Sequence, residues 1–256
     1  MDVAAPDDPA VEIRPGVFRP DWSAVTTPRA REALTGRFAA RTGLLDRWAL
    51  RLEVVEDLAW RTILRLYADR GGPPILADIV AATGIAADGI TRALQTLRAH
   101  DLVDLDPHSG DIRLAYPFTQ AITGHLVELR RHALYALCAI DALGAASMYG
   151  TDIAISSPCY RCGAPVHVET AAEGKALRTV GPSGAVVWYD FAYDGSAAIS
   201  CCPAIMFFCS DEHLRQWFND QKPRRNGISL SIDEALEVGR AIFGPVLVDR
   251  SSATLT

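Results

Sequence analysis

No stretch of the 256 residues approaches about 18 uninterrupted apolar positions, so no membrane-spanning helix is expected. The richest run, Leu134 to Leu143, is broken by Asp141. Positive charge is scarce as well. With 25 basic and 31 acidic residues the chain carries −6, which gives no general attraction to a nucleic-acid backbone or an anionic lipid surface. The opening segment MDVAAPDDPAVEIRPG places Asp2, Asp7 and Asp8 where a secretory leader would have positive charge followed by an apolar run. Export by that route is not expected, and the protein reads as cytoplasmic, with neither a membrane nor a nucleic acid as partner. There is no internal repeat or low-complexity tract. A composition of 49% hydrophobic and 22% charged residues is that of a globular protein.

The length accommodates two units, and the composition shifts along the chain suggest where they lie. Residues 1–35, rich in Pro, Asp and Ala, read as a loosely ordered arm. From Thr42 to Tyr67, apolar residues at Leu44, Leu45, Trp48, Leu52, Val55, Leu58, Ile63 and Leu66 recur at helical spacing. Gly71-Gly72-Pro73-Pro74 stops that helix. A short helix (Leu76 to Ala82), a turn at Gly84, a second helix (about Asp88 to His100) and a hairpin from Leu102–Leu105 and Ile112–Tyr116 then make a winged-helix-like pattern. Taken functionally, its second helix would read DNA. Between Arg70 and Ala115, however, four Arg face six Asp, which favours a helical packing module. The predicted class is therefore α+β. A winged-helix-like module over 36–117 is followed by a catalytic domain over 118–250 with a small mixed or antiparallel sheet and flanking helices.

Within that second domain, residues 125–149 look helical. Short β-like runs follow at Ile153–Ser156, Val166–Thr170, Ala185–Tyr189 and Ala204–Cys209. His213 to Asn219 and Ser231 to Phe243 look like helices. The latter is capped by Ser231, with Glu234 as its capping-box partner.

All six cysteines (Cys138, Cys159, Cys162, Cys201, Cys202 and Cys209) fall in the second half of the chain. In a cytosolic protein they read as thiols, metal ligands or catalysts rather than disulfides. Cys138 and Asp141, three apart in a helix-like stretch, share a face and could point at one ligand. An aspartate in an apolar run needs a partner, and burial would raise its pKa enough to let it hold or pass a proton. Cys159 and Cys162 form a CxxC followed by Gly, like one knuckle of a zinc ribbon. A structural zinc would complete its four ligands from Cys201, Cys202, Cys209 or His167. Cys201 and Cys202, facing a thiol on a helix, suit a soft metal ion.

Three islands in order, LYALCAIDAL (134–143), ISSPCYRCGAPV (155–166) and SCCPAIMFFCS (200–210), with GISLSIDEALEVG beyond them, resemble the organomercurial (alkylmercury) lyases. That resemblance implies protonolysis of a carbon–mercury bond to a hydrocarbon and Hg(II), with two cysteines, one aspartate and no organic cofactor. Cys138 and Asp141 match the family's CxxD directly. The second catalytic thiol is Cys202 when counted back from Phe207-Phe208, or Cys201 when the Cys pair itself is matched. Cys202 is preferred because insertions are less expected inside a strand. Phe207, Phe208 or Tyr135 would lie near the site. Cys138 and Cys202 would hold the metal, and Hg(II) would be the product ligand. External thiols would release it, and a mercuric reductase is the implied recipient. Cys162, which completes the CxxC, Cys209 and the long N-terminal arm depart from the family pattern. Cys159 and Cys162 would hold either a structural zinc or product mercury. Two other readings compete: a thiol-rich, metal-responsive winged-helix regulator, and a lyase-like enzyme for another substrate with zinc at Cys159 and Cys162.

Overall fold

A computed structural model describes residues 14–15, 19–40, 47 and 51–248. Its first helix, α1 (Pro28–Ala40), buries Ala30, Ala33, Leu34 and Phe38. Three helices follow: α2 (Val54–Arg70), α3 (Leu76–Thr83) and α4 (Ala87–Ala99). The apolar stripe Ile90, Ala93, Leu94 and Leu97 of α4 is buried, and α3 and α4 both pack on α2.

Most of the remaining chain is antiparallel. β1 (Val103–Leu105), β2 (Ile112–Ala115), β3 (Phe118–Thr119), β4 (His125–Leu129), β5 (His132–Ala136), β6 (Ala154–Pro158), β7 (Pro165–Ala171) and β8 (Ala176–Gly181) form one sheet in the order β1-β2-β3-β5-β4-β6-β7-β8. A second sheet has β9 (Val186–Asp190) between β10 (Met206–Phe208) and β11 (Gly227–Ser231). Helix α5 (Ala139–Tyr149) follows β5. A four-residue helix, α6 (Ala197–Ser200), precedes β10, α7 (Asp211–Asp220) follows it, and α8 (Ile232–Phe243) is the last element among the described residues. The α+β class and the antiparallel alternative for the sheet hold, but with eight strands the main sheet is not small. The β1–β2 hairpin that suggested a wing continues into the main sheet.

Three expectations change. Of the segment read as a loose arm, residues 1–13 and 16–18 lie outside the described residues. The rest is tied down: the N–H and hydroxyl groups of Thr26 and Thr27 all donate to the Glu237 carboxylate of α8. The helix expected over Thr42–Tyr67 is interrupted: Arg47 is helical, residues 51–53 are not, and α2 starts at Val54, where Glu53 and Glu56 close a capping box. Most of its N-terminal part, 42–46 and 48–50, lies outside the described residues.

The helix-like stretch 125–149 is in fact a hairpin followed by α5. Val127, Leu129, Leu134 and Ala136 alternate inward with period two, and Arg130 turns the chain with φ +56°. Strand β8 escaped notice because its edge position rests on ladder bonds to β7 rather than on a buried face.

What positions the site is the crossing of α5 with α8. Gly144 and Gly239 meet there; a Cβ on Gly144 would lie 2.9 Å from the Gly239 carbonyl oxygen and strike the Phe243 ring, and a Cβ on Gly239 would lie 2.8 Å from the Gly144 nitrogen. Both residues must be glycine for the backbones to touch. Gly144→Ala is therefore expected to cost about 1–3 kcal/mol by overpacking. Denaturant unfolding measures this, and an unchanged midpoint would mean that the helices separate freely.

Candidate active site

β5 delivers the chain to Leu137, whose N–H donates to the Pro117 carbonyl at 3.1 Å, and then to Cys138. Cys138 is not inside a helix, as its spacing from Asp141 suggested; it is the N-cap of α5, with extended backbone at φ −151° and ψ 176°. Asp141 is three residues on, at the position where a capping box places its partner. Its N–H donates to the Cys138 sulfur at 3.4 Å. CxxD is thus a cap geometry, and the sulfur sits where the helix dipole favours negative charge.

Cys202 arrives from the opposite side. Asp101, itself at φ +58°, accepts the Ala197 N–H at 2.8 Å and the Tyr193 hydroxyl at 3.3 Å, so α6 is anchored to the end of α4. The chain then turns through Cys202–Ala204, with Pro203 in the first turn, before β10 begins. The Ala139 N–H donates to the Ile205 carbonyl at 3.0 Å and locks the two site segments together.

In consequence the Cys138 and Cys202 sulfurs and an Asp141 oxygen all lie within 4.8 Å of one another, with Cys202 Sγ 3.8 Å from Asp141 Oδ2. The three residues are 2–4% exposed, so the cluster is dry. Burial, more than any neighbour, pushes the Cys138 thiol up to about 11. Cys202 lies well above the ordinary thiol range, first through its hydrogen bond to Cys138, then through Cys201 and burial. At neutral pH both sulfurs hold their protons.

The other sequence-derived candidates divide. Cys201 is buried, but its sulfur turns back to the Ala197 carbonyl at 3.6 Å and is outside the three-residue cluster. Phe207 packs on His125, and Phe208 on Tyr160 and Trp217, so both rings build core. His167 pairs with Glu169 and joins neither thiol cluster.

Tyr116 was missed. Its phenol is buried, has no hydrogen-bond partner among the described residues, and lies close enough to Cys202, Asp101 and Asp141 for their charges to oppose its ionisation, after burial. No short-range pattern marks it; only the tertiary fold brings it there.

Cys159 and Cys162 lie elsewhere, in the turn between β6 and β7, and come together with Cys209 and His213. Burial pushes Cys159 up, but N–H donors of Cys209, Cys162 and Arg161, with His213, outweigh it and bring the thiol down to about 6. Cys209 moves the other way, to about 12, through burial and the neighbouring sulfurs of Cys159 and Cys162. His213 was overlooked in favour of His167, although its i+4 spacing from Cys209 was readable.

Residues 118–244 match the family model MerB, described as alkylmercury lyase. An alkylmercury lyase of Staphylococcus epidermidis is 31% identical over 182 residues, which is 71% of this chain and 79% of that protein. One from Bacillus cereus is 30% identical over 77% of this chain and 86% of its own length. The chain belongs to the alkylmercury lyase family. A solved structure, the mercury-bound form of MerB2, shares the fold of this lyase with a TM-score of 0.66 at 21% identity, covering 86% of the lyase and all of that chain. Both thiol clusters of the lyase fall within the stretch matched by the family model, whereas α1 to α4 precede it. No helix among its described residues is long and apolar enough to cross a membrane.

Proposed function

We propose that this enzyme breaks carbon–mercury bonds by protonolysis, with Cys138 and Cys202 as mercury ligands and Asp141 as the proton carrier. The observation that carries the reading is two buried sulfurs and one carboxylate within 4.8 Å at a helix N-terminus, in a chain of this family. A soft metal selects thiolate ligands, and each thiol must lose its proton to bind.

The bookkeeping of atoms closes without an organic cofactor. The substrate enters as R–Hg–SR′, its carrier thiolate exchanged for one enzyme sulfur, and R′SH leaves with that sulfur's proton. The second sulfur then binds mercury and passes its proton to Asp141. Two thiolates on mercury push electron density onto the carbon. Asp141 returns the proton to that carbon, and the electron pair of the carbon–mercury bond forms the new C–H bond. RH departs and Hg(II) remains on Cys138 and Cys202. Nothing is oxidised or reduced. The dry pocket serves both an apolar R group and a proton transfer that water would otherwise intercept. External thiols then take Hg(II) from the two cysteines, and a mercuric reductase is the class of enzyme that would consume it.

A regulator built on a DNA-reading helix is disfavoured by the charges on that module. Arg92 pairs with Asp88, Arg98 and Arg113 with Asp104, and Arg70 with Asp78, so each of these four arginines faces an acid of its own module rather than a phosphate. We read α2 to α4 with the β1–β2 hairpin as a packing module that anchors α6 through Asp101.

Purified protein given phenylmercury with excess thiol should release benzene over many turnovers, as followed by gas chromatography. Binding without benzene release would overturn the reading.

A further inference from the structure

The four residues Cys159, Cys162, Cys209 and His213 are outside the proposed chemistry, yet they are assembled as closely as the site itself. Cys162 Sγ is 3.8 Å from Cys209 Sγ, Cys159 Sγ is 3.8 Å from His213 Nδ1, and Cys209 Sγ is 3.0 Å from the same nitrogen. All four ligand atoms lie within 4.8 Å of one another. A tetrahedral zinc with bonds of about 2.3 Å to sulfur and about 2.0 Å to nitrogen needs ligand–ligand edges of about 3.5–3.8 Å. Two of the three edges named here have that length, and the third would open by about half an ångström.

The backbone is shaped for the same purpose. Gly163, at φ +74°, closes a tight turn in which its N–H donates to the Cys159 carbonyl at 2.8 Å, and the Cys159 N–H donates to Ala164 at 2.7 Å. The N–H groups of Arg161, Cys162 and Cys209 donate to the Cys159 sulfur, which is how outer groups orient and hold a metal-bound thiolate. On the other side, Ser210 caps α7 by accepting the His213 N–H at 3.2 Å, which fixes the imidazole one turn beyond Cys209. No disulfide joins the sulfurs.

We propose that Cys159, Cys162, Cys209 and His213 bind one zinc ion, which clamps the β6–β7 turn to β10 and the start of α7. Three thiolates and an imidazole suit zinc, and four protein ligands leave no open coordination position, so the ion is structural. The clamp closes the sheet that carries β10, and through Ile205 it bears on the segment that presents Cys202. It also accounts for Cys159, Cys162 and Cys209, three of the four cysteines that the proposed chemistry leaves unused. The proposal stands whether or not the enzyme cleaves organomercurials.

The full-length protein, purified under reducing conditions from zinc-supplemented medium, should contain one zinc per chain by plasma emission spectrometry. Cys162→Ser, at an exposed position, and His213→Ala should each lose most of that zinc, whereas Cys202→Ser should keep all of it. Replacement by cobalt should give thiolate-to-cobalt charge-transfer absorption that Cys162→Ser weakens and Cys202→Ser leaves intact. This reads the ligand set even where a variant unfolds more easily. Metal-free protein that stays so after incubation with zinc sulfate would overturn the proposal. So would zinc content unchanged in both Cys162→Ser and His213→Ala, or zinc lost in Cys202→Ser alone.

Discussion

Cys202→Ser should abolish benzene release from phenylmercury, with a fall on the order of 10³-fold or more, as for residues that act as a single unit. Cys201→Ser should retain most of it. The two residues are adjacent in sequence, both buried and identical in chemistry, so only geometry separates them. The Cys202 sulfur faces Asp141 at 3.8 Å, while that of Cys201 folds back on the Ala197 carbonyl. Serine is nearly isosteric, and its oxygen is a hard ligand that does not bind mercury as a thiolate does. Because Cys202→Ser leaves Cys138 in place, it should still bind one equivalent of phenylmercury and stall there with the carbon–mercury bond intact. Mass spectrometry of the denaturation-free complex shows this directly. Equal loss in both variants would mean that the two thiols exchange roles by rotation of the Cys202 turn.

How much of this was legible in the sequence depends on the range of the forces involved. The caps were readable because they are local: Ser231 with Glu234 and the stop at Gly71 each need only neighbouring residues. The stretch 125–136 was misread because Leu126, Val127, Leu129, Leu134 and Tyr135 satisfy a helical stripe almost as well as an alternating one, and pairing with β3 and β6 decided the outcome. That misreading carried into the site. The Cys138–Asp141 pair was expected to share a helix face, but an N-cap and its third residue achieve the same proximity with a hydrogen bond as well. Tyr116 and His213 were missed for different reasons. Tyr116 meets its cluster only across the tertiary fold, whereas His213 was readable from its i+4 spacing to Cys209 but lies just beyond the island that resembles the family.

Asp141→Asn should separate mercury binding from bond cleavage. The amide keeps the size of the carboxylate and its place in the first turn of α5, but it cannot take a proton from a thiol and return it to carbon. Loss of a positioned acid–base group typically costs about 10²–10⁴-fold, and a loss near the upper end is expected because the cluster excludes the water that would otherwise substitute. Hg(II) binding should survive, since both sulfurs remain. Its proton balance gives a second readout. Both thiols are protonated near neutral pH, Cys138 with a pKa raised to about 11 by burial and Cys202 pushed well up. Capture of Hg(II) from its chloride must therefore release two thiol protons, in the variant as in the parent. The sign follows from the raised values: lower pH opposes capture by both proteins, and the opposition fades as pH rises toward the thiol range. A pH-stat titration measures the release, and single-turnover benzene formation measures cleavage. Full cleavage in Asp141→Asn would remove the carboxylate from the proton path and leave the two thiols as the only proton source.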